Sequence, residues 1–176
     1  NNDEPTFENT ILAYDNAGQM LAQTELIFGM LCAAETNERM QALQEQVMPL
    51  LSAHRDKIRL DEKLFARVKD VYDRRASLGL DAEQSRLLRK TYDAFVRSGA
   101  LLDAGQKARL KEINGELSLT AVKFGNNILA ENNNFALELT ADDLEGLPSG
   151  VRDAAREKAQ AMGKGDKWVF TLHKPS

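Results

Sequence analysis

Apolar residues recur along most of this chain at steps of three and four, the spacing that lays them on one face of a helix. Phe7, Ile11, Tyr14, Gly18, Leu21 and Phe28 form the first row, and Met20, Ile27 and Leu31 widen it. The pattern predicts one long first helix, covered on much of its circumference. Thr6, just after Pro5, suits its N-cap, since a hydroxyl there accepts from the free N–H groups of the first turn. Met40, Leu43, Val47 and Leu51 predict a second helix from about Asn37 to His54, with a kink or break at Pro49, which lacks a backbone donor.

Asp61 opens a third predicted helix as an N-cap, with Leu64, Val68, Val71 and Tyr72 on one face, and Leu78-Gly79-Leu80 ends it. Asp81 and Gln84 have the spacing of a capping box and open a fourth helix through Leu88, Tyr92 and Phe95, closed by Ser98-Gly99. A long fifth helix is predicted from about Asp103 to Glu131, with Leu110, Ile113, Leu117, Ala121, Phe124 and Ile128 as its core row. Gly115 and Gly125 each cost it roughly 1 kcal/mol relative to alanine, so tertiary packing has to hold it.

The period then drops to two. Asn132-Asn133-Asn134 marks a turn, and Phe135, Leu137 and Leu139 alternate with Ala136, Glu138 and Thr140 as in a strand with one apolar face. Pro148 starts a last helix with Val151, Ala155 and Met162 inward, stopped by Gly163 and Gly165. Trp168, Phe170 and Leu172 alternate again, so the two strands can pair with the helix between them as a cap. The predicted fold is mainly α, a multi-helix array with a short two-stranded β unit near the C-terminal end. It divides into a helical region, 1–134, and a strand-helix-strand extension, 135–176.

Composition is ordinary for a globular chain, 43% hydrophobic and 28% charged over 176 residues. A net charge of −4 weighs against binding a phosphate backbone, which needs a basic face, so no nucleic-acid partner is expected. Arg86, Arg89, Lys90 and Arg97 recur on one stretch among acidic residues, as on a solvated helix face. No apolar run approaches the roughly 18 residues of a membrane span, so no membrane partner is expected. Cys32 is the only cysteine and is expected as a small buried hydrophobe. The chain opens at Asn1 and stops at Lys174-Pro175-Ser176, straight after a strand-like run, and both ends are expected to be cuts within a longer protein.

Chemistry is sparse. His54 and His173 are the only histidines, far apart in sequence, and neither an HExxH nor a cysteine cluster occurs. His54 is expected at a helix C-terminus, where the dipole favours its charged form. There is no GxSxG elbow, and Gly163-Lys164-Gly165 has only the tail of a phosphate loop, with the wrong flanks. Asp142-Asp143 reads as a solvated helix start. No catalytic, cofactor-binding or metal-ligating residue is assigned.

Several stretches resemble a known family. Pro5-Thr6-Phe7-Glu8-Asn9-Thr10-Ile11, Ala34-Glu35-Thr36-Asn37-Glu38 and Lys63-Leu64-Phe65-Ala66-Arg67-Val68 look like the amino-terminal region of bacterial peptidyl-dipeptidases, within the thimet-oligopeptidase-like zinc metallopeptidases. Asn134-Phe135-Ala136-Leu137 and Lys167-Trp168-Val169-Phe170-Thr171-Leu172, ending in Pro175-Ser176, are similar in the same order. The resemblance implies a parent enzyme that removes dipeptides from the carboxyl ends of short peptides, with zinc held by HExxH and a distal glutamate. It implies a mostly helical molecule with a deep channel, of which these helices form a wall and lid. Every catalytic residue then lies outside this chain, so the chain alone should be inactive and hold no zinc. Its expected partners are the C-terminal catalytic region of the same parent and short peptide substrates. The parent is expected in the cytoplasm, with the periplasm as the alternative. The competing reading is a free-standing helical protein-interaction module, which should bury its apolar helix faces without help.

Overall fold

The computed structural model describes residues 3–172; His173, Pro175 and Ser176, which figure in the sequence pattern, lie outside the described residues. Helices dominate, and a two-stranded antiparallel sheet lies near the C-terminal end. The chain forms two compact units, Asn1–Val122 and Lys123–Ser176.

The first unit opens with a π-helical turn, Phe7–Leu12, running into a single α-turn, α1 (Ala13–Asp15). Thr6 caps it as the sequence suggests. The Asn9 N–H donates to Thr6 Oγ1 (3.1 Å), and the Thr6 N–H donates back to Asn9 Oδ1 (2.9 Å). The single long first helix of the sequence pattern is broken, however. Gly18 sits at φ 76°, a left-handed conformation that glycine adopts without steric cost, and the chain restarts as α2 (Gln19–Ala34). The apolar steps carry across Gly18 in sequence, but the helix does not.

Asn37 caps α3 (Glu38–Arg59), its Oδ1 accepting from the Met40 N–H at 3.0 Å. This helix runs unbroken through Pro49, because one missing donor removes a single hydrogen bond from a 22-residue ladder. It also continues past His54, which therefore does not sit at the helix C-terminus. Lys57 and Arg59 occupy the last turn instead, where cations complement the dipole. Asp61 caps α4 (Glu62–Asp73), accepting from Leu64 at 2.7 Å. Asp81 and Gln84 form the expected capping box of α5 (Ala82–Arg97), and Asp103 and Gln106 make the same reciprocal pair before α6 (Ala104–Asn134).

The core lies where the π-turn, α4 and α5 meet. It consists of Phe7, Ile11, Phe65, Val68, Val71, Leu88, Phe95 and Ala100. Phe95 is fully buried, its ring centroid 6.0 Å from Phe65 and 5.4 Å from Tyr14; Tyr92 stacks on Tyr72 at 3.9 Å. Arg67 and Arg74 tie the leading segment to α4. Arg67 donates to the Asp3 carbonyl (2.7 Å), Asn9 Oδ1 (3.0 Å) and Thr10 Oγ1 (3.2 Å); Arg74 donates to the Pro5 carbonyl (2.7 Å). Charge-assisted bonds of this kind fix where an otherwise exposed N-terminal segment lies.

Two helices stand out by how little of their apolar surface is covered. No residue of α2 is buried, although it carries one charge, Glu25, in 16 residues. In α6 the expected core row is turned the wrong way: Ile113, Leu117, Phe124 and Ile128 are exposed, while Lys107 and Val122 are buried. Beside the half-buried Leu110, the inward positions of its first half carry polar side chains. Asn114 Nδ2 donates to Asp56 (2.8 Å), Ser52 Oγ donates to the Asn114 carbonyl (3.4 Å), and Lys107 Nζ lies 3.1 Å from Glu62. These bonds satisfy the polar groups and so decide which face turns in.

In the second unit, Asn132-Asn133-Asn134 stays helical rather than forming a turn, because the Phe135 N–H closes the last turn onto the Glu131 carbonyl at 2.9 Å. Strand β1 (Leu137–Leu139) then pairs antiparallel with β2 (Trp168–Phe170), in the register Leu137↔Phe170, Glu138↔Val169 and Leu139↔Trp168. Between them lie a 3-10 turn (Ala141–Leu144) and α7 (Ser149–Ala161), which packs on β2. Ala155 and Ala159 face inward, with Val169 and Leu144 also buried; Val151 and Met162, predicted inward, are exposed. Small alanines let the helix approach a valine closely, which leaves the larger alternating row of Leu137, Leu139, Trp168 and Phe170 on the other, half-covered face.

Candidate functional site

The residues with the most obvious chemistry do not converge. His54 is exposed on α3, and Cys32, expected to be buried, is only partly covered near the end of α2. Among the described residues, no three of His, Cys, Asp or Glu come together to hold a metal. This donor set does not fit a hydrolytic zinc, which needs three protein ligands around one open position.

The other sequence candidates have structural duties. Asp143 accepts from the Thr140 N–H (2.8 Å) and hydroxyl (2.7 Å), capping the 3-10 turn, and these bonds hold its pKa below the usual value. Lys164, from the glycine-flanked turn, pairs with Glu138, as does Lys167 at 2.6 Å. Hydrogen bonds to Lys164 and then Lys167 lower the Glu138 pKa to about 2. Lys164 thus serves a carboxylate of β1.

A different constellation does assemble. A groove of about 980 Å3 lies between the start of α2, the C-terminal half of α3, and α5. Tyr14, Leu21 and Ile58 contribute apolar lining; Arg55, Arg59, Arg89, Lys90 and Arg97 set five cations against Glu25 and Asp93. Arg55 and Glu25 pair with each other. The Arg59 guanidinium lies 5.7 Å from the Tyr14 ring and 5.4 Å from the Phe95 ring, an arrangement in which ring quadrupoles attract the cation. Three of the five, Arg89, Lys90 and Arg97, are visible in sequence as basic residues of α5, read there as a solvated face. The other two come from α3, so only the fold joins them.

A second groove, of about 760 Å3, lies between α3 and the starts of α4 and α6, but Lys107, Asp56 and Glu62 there belong to the polar contacts that seat α6. The remaining unusual surface is apolar. Met20 (82% exposed), Leu26, Ile27 and Met30 stand out from α2, and Leu117 and Phe124 from α6.

No protein-family model matches the chain. It is 37% identical to a dipeptidyl carboxypeptidase of Escherichia coli (strain K12) over 169 residues, which is 96% of this chain and 25% of that protein. The dipeptidyl carboxypeptidase of Salmonella typhimurium is also 37% identical, over 171 residues and the same shares of both chains. A thimet-like oligopeptidase of Dictyostelium discoideum is 27% identical over 146 residues, covering 81% of this chain and 21% of its own length. The chain thus spans about a quarter of the length of the dipeptidyl carboxypeptidases it matches.

Proposed function

We propose, from the family to which this chain belongs over the stretch it spans, that of the dipeptidyl carboxypeptidases and thimet-like oligopeptidases, that it is the amino-terminal, non-catalytic part of a peptidase. In this reading the longer protein removes C-terminal dipeptides from short peptides with a zinc ion held outside this chain. The helices here shape the substrate channel and pack against the catalytic region. The 37% identity across nearly the whole chain carries the proposal.

The surface of α2 supports the packing. A helix apolar around its circumference is normally covered on several sides, yet α2 has six large apolar residues exposed: Met20, Leu21, Leu26, Ile27, Met30 and Leu31. A free-standing interaction module would need to bury such a helix by itself.

The test compares this chain with the longer protein on a short N-blocked peptide, following dipeptide release. The longer protein should release C-terminal dipeptides, lose that activity to a chelator and regain it with zinc. This chain should release none. A longer protein that releases no dipeptide from any short peptide overturns the reading.

A further inference from the structure

We infer that the groove between α2, α3 and α5 is a carboxylate-recognition site for a short acidic peptide, with Arg59 as its anchor. Arg59 carries the argument furthest. Its guanidinium lies against the rings of Tyr14 and Phe95, and Phe95 is the fully buried centre of the core, so the seat is part of the fold rather than a swinging surface chain. Yet among the described residues this guanidinium has no hydrogen-bond acceptor. A planar fork of five N–H donors, held by aromatic faces and offered no acceptor, matches a carboxylate bidentately.

The surroundings agree. Arg89, Lys90 and Arg97 also line the groove and make no ion pair among the described residues, while Glu25 is already engaged by Arg55. Five cations face two acids here, in a chain whose net charge is −4. Such a local excess of one sign raises the concentration of counter-charged ligands at the surface. The net negative charge of the chain disfavours a long polyanion, and the apolar lining from Tyr14, Leu21 and Ile58 suits the aliphatic part of a peptide. The choice of a peptide as ligand rests on the peptidase reading; the carboxylate chemistry does not.

The experiment titrates this chain into fluorescently labelled hexapeptides at low salt and follows anisotropy. One peptide carries three glutamates and a free C-terminus, a second carries glutamines in their place, a third is the glutamate peptide with an amidated C-terminus, and a fourth carries lysines. A single-stranded oligonucleotide and inorganic phosphate, added as competitors, complete the set. The glutamate peptide should bind, the lysine peptide should not, and the glutamine and amide peptides divide the affinity between side-chain and terminal carboxylates. Arg59→Lys, which keeps the charge and its place on the rings but loses the fork, should weaken binding several-fold at unchanged melting temperature. Replacing Arg89, Lys90 and Arg97 together by glutamine should weaken it by about tenfold, since three exposed charges at roughly twofold each multiply to that order. Equal binding of the glutamate and lysine peptides, indifference to both variants, or tighter binding of the oligonucleotide than of the peptide overturns the inference. Any of those results leaves dipeptide release by the longer protein untouched, so the two readings fail separately.

Discussion

Phe95 and Phe124 are both phenylalanines on helical apolar rows, and replacing each by alanine should separate the core from the uncovered surface. Phe95 has 0% of its surface exposed and contacts Phe65, Tyr14 and Arg59, whereas Phe124 is 64% exposed. Phe95→Ala removes buried ring surface and leaves a cavity that close-packed neighbours fill only in part, a loss of about 3–5 kcal/mol. Against a typical total stability of about 5–15 kcal/mol, that is a large share. Unfolding entropy of roughly 2.1 cal/mol/K per residue, over a unit of about 120 residues, converts it to a drop of about 12–20 °C in melting temperature. Phe124→Ala in this chain should cost under about 0.5 kcal/mol, since solvent already reaches most of the ring. Urea denaturation followed by circular dichroism measures both, and an unchanged slope would show that the midpoint shift reports stability. If Phe124→Ala costs as much as Phe95→Ala, or Phe95→Ala costs under about 1 kcal/mol, this placement of the core is wrong. In the longer protein of the proposed function, Phe124→Ala should cost measurably more than in this chain, because the exposed row of α6 would then be covered.

Three further outcomes follow. Gly99 sits at φ 93°, and a Cβ there would lie 2.7 Å from Leu110 and 2.9 Å from Leu102, so Gly99→Ala should destabilise by about 1–3 kcal/mol in the same assay; a neutral result would falsify this account of the α5–α6 turn. The Glu138 pKa of about 2 lies below its ordinary 4.5, so its stabilising contribution is fully present above about pH 4.5 and is lost as the pH falls through about 2. Glu138→Gln should therefore flatten the melting temperature between pH 5 and pH 2 relative to the parent chain, and curves of identical shape would contradict the pairing with Lys164 and Lys167. Met20, Ile27 and Met30 should drive self-association of this chain at high concentration; sedimentation should show it reduced when all three become glutamine, and a concentration-independent monomer would count against an apolar docking face.

Much of this fold is legible in local chemistry. Caps are one-residue decisions with one geometric consequence, so Asp61, Asp81 with Gln84, and Thr6 start their helices where the sequence places them. Endings are harder. Whether a helix stops at Gly18 or runs on past His54 depends on what its next turn meets, and that is tertiary information. Facing is harder still. Periodicity identifies Leu117, Phe124 and Ile128 as one row of α6, but it cannot say that Asp56 and Ser52 would claim the polar row beside it.

The cationic groove was only partly readable for the same reason: Arg55 and Arg59 meet Arg89 and Lys90 through packing, not through spacing. The apolar surplus is therefore the most informative mismatch between sequence and structure. A helix with one charge in 16 residues and no buried residue is costly to leave in water. Its pattern makes physical sense if a further apolar surface covers it. The proposed packing against the rest of a longer peptidase supplies such a surface, and a free-standing module does not.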